Sequence, residues 1–123
     1  MGSYNAAMAG DDIHVIEIDG RAVETDARGY LRRLEDWSES LGAEMARRDG
    51  LELGPEHWEV LHFLRNYYAE FKLAPPMRLL VREIGRRLGA DKGQSRYLYR
   101  LFPEGPAKQA CRYAGLPKPV SCI

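Results

Sequence analysis

Two thiols are the residues best suited to chemistry. The 123-residue sequence contains only two cysteines, Cys111 and Cys122, and both fall in its closing stretch, CRYAGLPKPVSCI. A thiolate is the reactive form of cysteine. An ordinary thiol ionises near pH ~8.5, and nearby cations such as Arg112 and Lys118 favour ionisation. Cys122 has only Ile123 beyond it, so packing from both sides of the chain cannot hold it, and a chemical role suits it better than a core role. Cys111 falls in the last turn of a short helical pattern and reads two ways, as a resolving thiol or as an incidental buried cysteine. Pro117 and Pro119 fix their own φ angles and push Leu116 and Lys118 toward extended backbone. The connection from Cys111 to Cys122 is therefore a semi-stiff arm. At about 3.3 Å per residue it reaches about 36 Å when fully extended. With Gly115 as pivot, the arm can carry Cys122 into another protein's cleft. It can also fold back on Cys111, where a disulfide needs Cα atoms within about 7 Å.

Other chemistries find little support. His14, His57 and His62 are scattered, and two cysteines without clustered histidines do not form a zinc site. His57 and His62 are five positions apart, which misses the i, i+4 spacing of helical metal sites. No Ser-His-Asp set or phosphate loop is present. No metal and no cofactor is expected. Hydrophobic residues make up 45% of the chain, enough for one core in a single domain. No apolar run of about 18 residues exists, so no membrane span is expected. The opening residues lack the basic and apolar regions of a secretory signal, and the expected location is the cytoplasm. The formal charge is zero, but residues 1–71 hold 7 Lys/Arg against 15 Asp/Glu, and residues 72–123 hold 11 against 3. This polarity fits mutually neutralising helix faces, or a basic surface around the arm that draws an acidic partner or nucleic acid. Arg96, Arg100, Lys108, Arg112 and Lys118 are the candidate partner-binding residues.

The elements that must position the arm read as mainly α. HVIEIDGRAVET alternates and carries Asp-Gly, a hairpin signal, and DARGYL is a second turn. Ser38 caps a helix through about Arg48, with Gly50 just past its end. GPEHWEVLHFLRNYYAEF is the strongest helix, with Pro55 at its first position and Trp58, Leu61, Leu64, Tyr68 and Phe71 on the expected core face. His57 is placed to cap near its start. MRLLVREIGRRLG, SRYLYRLF and GPAKQACRYAG follow as shorter helices punctuated by glycine and proline. The expected architecture is a small N-terminal β-hairpin on a bundle of about five helices, with a helix-turn-helix-like element. The boundaries are a disordered leader over 1–12, one helical domain over 13–114 and a mobile arm over 115–123.

The stretch SRYLYRLFPEGPAKQACRYAGLPKPVSCI resembles the C-terminal signature of the DsrC/TusE family of sulfur-carrier proteins. PEHWEVLHFLRNYYAEF, APPMRLLV and ETDARGYL resemble further family segments, so the likeness runs from about Ile16 to Ile123. It implies a small helical carrier, acting within a relay rather than as a free-standing catalyst, that holds sulfane sulfur as a persulfide on Cys122. It also implies a donor complex resembling TusBCD or DsrEFH. The acceptor in the TusE branch is a tRNA 2-thiouridine synthase. In the DsrC branch the partner is a siroheme sulfite reductase, and Cys111 joins Cys122 in a disulfide or trisulfide. Two cysteines resemble the DsrC branch; ETDARGYL, PEHWEV, RYLYRLFP and PVSC resemble the TusE branch, which is preferred.

A reading of another class uses MRLLVREIGRRLGADKGQSRYLYRLF as a DNA-binding helix-turn-helix, with Arg96, Tyr97, Tyr99 and Arg100 on the second helix. Leu98, Leu101 and Phe102 favour the plainer reading, an ordinary core helix with a solvated basic face. Direct nucleic-acid binding is not expected.

Overall fold

A computed structural model of the chain describes residues 13–119. The leader over 1–12 and the cysteine-bearing end, 120–123, lie outside the described residues. Strands β1 (His14–Ile18) and β2 (Arg21–Thr25) pair antiparallel, Ile16 opposite Val23. Asp19 and Gly20 both take positive φ, 50° and 77°, the backbone that a two-residue turn needs to match strand twist. One face of the hairpin delivers Ile16, Val23 and Thr25 to the interior.

A single 3₁₀ turn (Leu34–Asp36) leads to helix α1 (Glu39–Arg48). The Ser38 Oγ accepts from the Leu41 N–H at 3.1 Å, satisfying one of the helix's unpaired first-turn donors. Helix α2 (Pro55–Phe71) is the longest. At its start the Gly54 N–H donates to His57 Nδ1 at 3.0 Å, and His57 Nε2 lies 2.9 Å from the Leu101 carbonyl. His57 thus caps one helix and ties it to the end of another. Leu61 and Leu64 are buried as the periodicity predicts, together with Val60, Phe63 and Tyr67. Phe71, expected in the core, is 45% exposed.

Helix α3 (Met77–Leu88) and helix α4 (Ser95–Leu101) are joined by a tight turn. A Cβ on Gly93 would overlap the backbone of Gly85, so glycine is what lets the turn close on α3. This pair has the helix-turn-helix form. Helix α5 (Pro106–Tyr113) closes the fold and touches α1, α2, α3 and α4. The five helices and the hairpin enclose one core. No helix among the described residues is long and apolar enough to cross a membrane.

Candidate functional site

The site is built around α5. Pro106 occupies its first turn, where a missing N–H does no harm. Its end is a Schellman motif: the Gly115 N–H donates to the Arg112 carbonyl at 3.1 Å and the Leu116 N–H to the Cys111 carbonyl at 2.9 Å, with Gly115 at φ 74°. The cysteine's own carbonyl therefore fastens Leu116, next to Gly115 at the base of the arm. Leu116 is buried beneath it. The sequence assigns Gly115 a pivot role; in the structure it packs under Trp37, where a Cβ would overlap the indole ring. Pro117 is half-buried, Lys118 is exposed and Pro119 is buried, so the arm lies against the domain as far as Pro119.

Two further side chains seal the end of α5. Trp37 Nε1 donates to the Tyr113 carbonyl at 2.7 Å, and Arg65 donates to the Ala114 carbonyl at 2.6 Å. The Arg65 guanidinium stacks 4.0 Å from the centre of the Trp37 ring. These bonds occupy carbonyls that a helix end leaves unpaired.

Cys111 has no solvent exposure. Burial pushes its thiol up from an ordinary 9.0 to about 12, because the interior disfavours the charged thiolate. At neutral pH it is a protonated, covered thiol. Beside it runs a polar network. Asp49 Oδ2 accepts from the Tyr113 hydroxyl at 2.7 Å and from Arg112 at 2.8 Å. Gln109, also buried, donates to the Tyr113 hydroxyl at 2.9 Å and accepts from the Glu104 N–H at 2.8 Å. Burial and the bond to Asp49 raise the Tyr113 phenol well above its usual range. The network fixes the rotation of α5 and so the direction in which Cys111 faces.

Of the five basic residues singled out from sequence, Lys108, Arg112 and Lys118 line one cavity, joined there by Arg28. Arg96 and Arg100 sit on α4 and do not line it; Arg100 stacks 5.2 Å from the Tyr97 ring. The basic residues of α3 are largely occupied. Glu83, buried on that helix, holds Arg86 at 2.9 Å, Arg87 at 3.5 Å and Arg82 at 3.9 Å. Cys122 lies outside the described residues. Among the described residues no group of His, Cys, Asp and Glu is arranged to hold a metal ion. Sequence reasoning missed Trp37, Asp49 and Arg65, whose partners lie 49 to 76 positions away; nothing local announces such pairings. Arg28 stood inside the DARGYL turn, where a basic residue reads as surface.

The family model for DsrC-like protein matches residues 17–123. The chain belongs to the DsrC-like family. It is 53% identical over 108 residues to a sulfurtransferase TusE from Sodalis glossinidius, covering 88% of this chain and all of the relative. The Escherichia coli K12 sulfurtransferase TusE is 53% identical over 105 residues, covering 85% of this chain and 96% of the relative. Among solved structures, Allochromatium vinosum DsrC superposes with a TM-score of 0.85 at 51% identity, covering 91% of this chain and 100% of that one. The oxidised γ-subunit of the dissimilatory sulfite reductase (DsrC) from Archaeoglobus fulgidus gives 0.79 at 37% identity, covering 89% and 100%. The matched span places the Schellman end of α5, Cys111 and the cysteine-bearing end within the DsrC-like unit.

Proposed function

We propose that this DsrC-like chain is a cytoplasmic sulfur-relay carrier that holds sulfane sulfur as a persulfide on Cys122. The thiolate of Cys122 attacks the outer sulfur of a donor persulfide. A Cys122–sulfur bond forms, the donor's sulfur–sulfur bond breaks, and the donor cysteine leaves as a thiolate, with no net oxidation. Delivery repeats the exchange at the acceptor. The partners are a TusBCD- or DsrEFH-like donor complex and, as acceptor, a tRNA 2-thiouridine synthase. The kinship to sulfurtransferases named TusE supports this.

The observation that carries the choice of branch is the state of Cys111. A thiol with no exposure and a pKa pushed up to about 12 is poorly placed to attack a disulfide or persulfide, since only the thiolate is the nucleophile. A single-thiol relay needs only Cys122. The likeness to solved DsrC structures, one described as an oxidised γ-subunit of dissimilatory sulfite reductase, supports a second reading. There a sulfite reductase is the partner, and Cys111 closes a disulfide or trisulfide with Cys122 after α5 opens. Reconstituted tRNA thiolation separates the two. In the single-thiol relay, Cys111→Ala delivers sulfur at close to the wild-type rate and Cys122→Ser delivers none. A Cys111→Ala chain that loads sulfur but cannot pass it on refutes the single-thiol reading.

A further inference from the structure

The turn after β2 plays no part in the carrier chemistry, yet it is built against α5. Asp26 Oδ1 accepts from the backbone N–H groups of Arg28 at 2.8 Å and Tyr30 at 3.0 Å. The Asp26 N–H donates to the Tyr30 carbonyl at 2.9 Å and the Gly29 N–H to the Asp26 carbonyl at 3.0 Å. Gly29 holds φ 93°, and a Cβ there would come 3.0 Å from Arg112 Cδ. A turn closed by this many bonds holds the backbone of Arg28 at a fixed place beside the helix, with its side chain exposed.

Between the turn and α5 lies a cavity of about 450 Å³, lined by Arg28, Tyr30, Glu104, Lys108, Arg112 and Lys118, among others. Four cations face one carboxylate. Arg112 is already engaged, 2.8 Å from Asp49 and 3.7 Å from Glu104. Arg28, Lys108 and Lys118 pair with no carboxylate among the described residues. They come from the turn after β2, from α5 and from the arm that follows it. Unneutralised like charges around one cavity repel, and a bound anion relieves that repulsion. Donors converging from three directions suit a tetrahedral oxyanion, with acceptors on several sides, better than a planar carboxylate, which a single guanidinium satisfies with two parallel bonds.

We propose that this cavity is an oxyanion site for a phosphate-class group, presented either as the free ion or as a phosphodiester of a nucleic-acid backbone. It stands apart from the carrier reading: no step requires sulfur on Cys122, and a Cys122→Ser chain retains the site.

The test is an amide-shift titration of the full chain at low ionic strength, with inorganic phosphate and, separately, a short RNA oligomer. Phosphate is expected to shift the amides of Arg28, Gly29, Lys108 and Arg112. Arg28→Ala and Lys108→Ala should each weaken binding about tenfold or more, since a charge-assisted bond is lost. Arg96→Ala, outside the cavity, should leave it unchanged. Binding of free phosphate alone assigns the free ion; RNA binding that phosphate competes away, with the same dependence on Arg28 and Lys108, assigns the backbone. Both variants are exposed and should unfold with the wild type. Affinities unchanged in Arg28→Ala and Lys108→Ala, or shifts produced by neither probe at these residues, overturn the proposal. So does binding of an acidic peptide where neither phosphate probe binds.

Discussion

Cys111 should be nearly inert while the protein is folded. The perturbation is alkylation of the native chain with iodoacetamide at pH 8. An ordinary thiol with a pKa of 9.0 is about one-tenth ionised there, whereas a thiol held at about 12 is ionised in about one molecule in ten thousand. Ionisation alone lowers the rate about a thousandfold, equivalent to about 4 kcal/mol at about 1.4 kcal/mol per pKa unit. Absence of exposure adds a second barrier, because the reagent must await opening of α5. Digestion and mass spectrometry over time read the two cysteines separately. Cys122 should be labelled first, and Cys111 more slowly by at least about three orders of magnitude, with the rates converging in denaturant. Labelling of native Cys111 within tenfold of Cys122 would refute both the burial and the branch argument built on it.

Further outcomes follow from the same network. Because Cys111 stays neutral in the fold but ionises in the unfolded chain above pH 9.0, stability should fall as pH rises from about 9 toward 12, by up to about 1.4 kcal/mol per pH unit. Denaturant melts at stepped pH check this, and Cys111→Ala should remove that part of the slope; the raised Tyr113 phenol steepens the fall above pH 10. Asp49→Ala strips partners from Tyr113 and Arg112 and should destabilise by about 2 kcal/mol, measured by urea unfolding. Gly115→Ala, forced to keep a positive φ and a Cβ against Trp37, should cost about 2–3 kcal/mol in the same assay. A Gly115→Ala chain as stable as wild type contradicts the packed arm base.

What was legible in the sequence was punctuation. Asp19-Gly20, Ser38, Pro55, Pro106 and Gly115 each act through local backbone geometry, and each marks an element boundary in the structure. Core faces were less legible. The stripe read on α2 reaches Phe71, but that ring is 45% exposed and covered on one side by Tyr67, 4.6 Å away, while Val60, Phe63 and Tyr67 turn inward. The environment of Cys111 was the hardest to read. α5 buries Pro106, Ala107, Gln109, Ala110, Cys111 and Tyr113, leaving little of its surface to solvent. Its periodicity therefore does not report how deeply the cysteine sits. The bonds that hold it there, from Trp37, Asp49 and Arg65, arrive across 49 to 76 positions.

Intact-protein mass after incubation with a sulfur-loaded donor decides whether Cys122 carries the sulfur. The mass should rise by one sulfur atom per chain, a gain reversed by a thiol reductant, retained in Cys111→Ala and abolished in Cys122→Ser. A sulfur atom that persists in Cys122→Ser, or one that maps to Cys111 in the folded protein, would contradict Cys122 as the carrier.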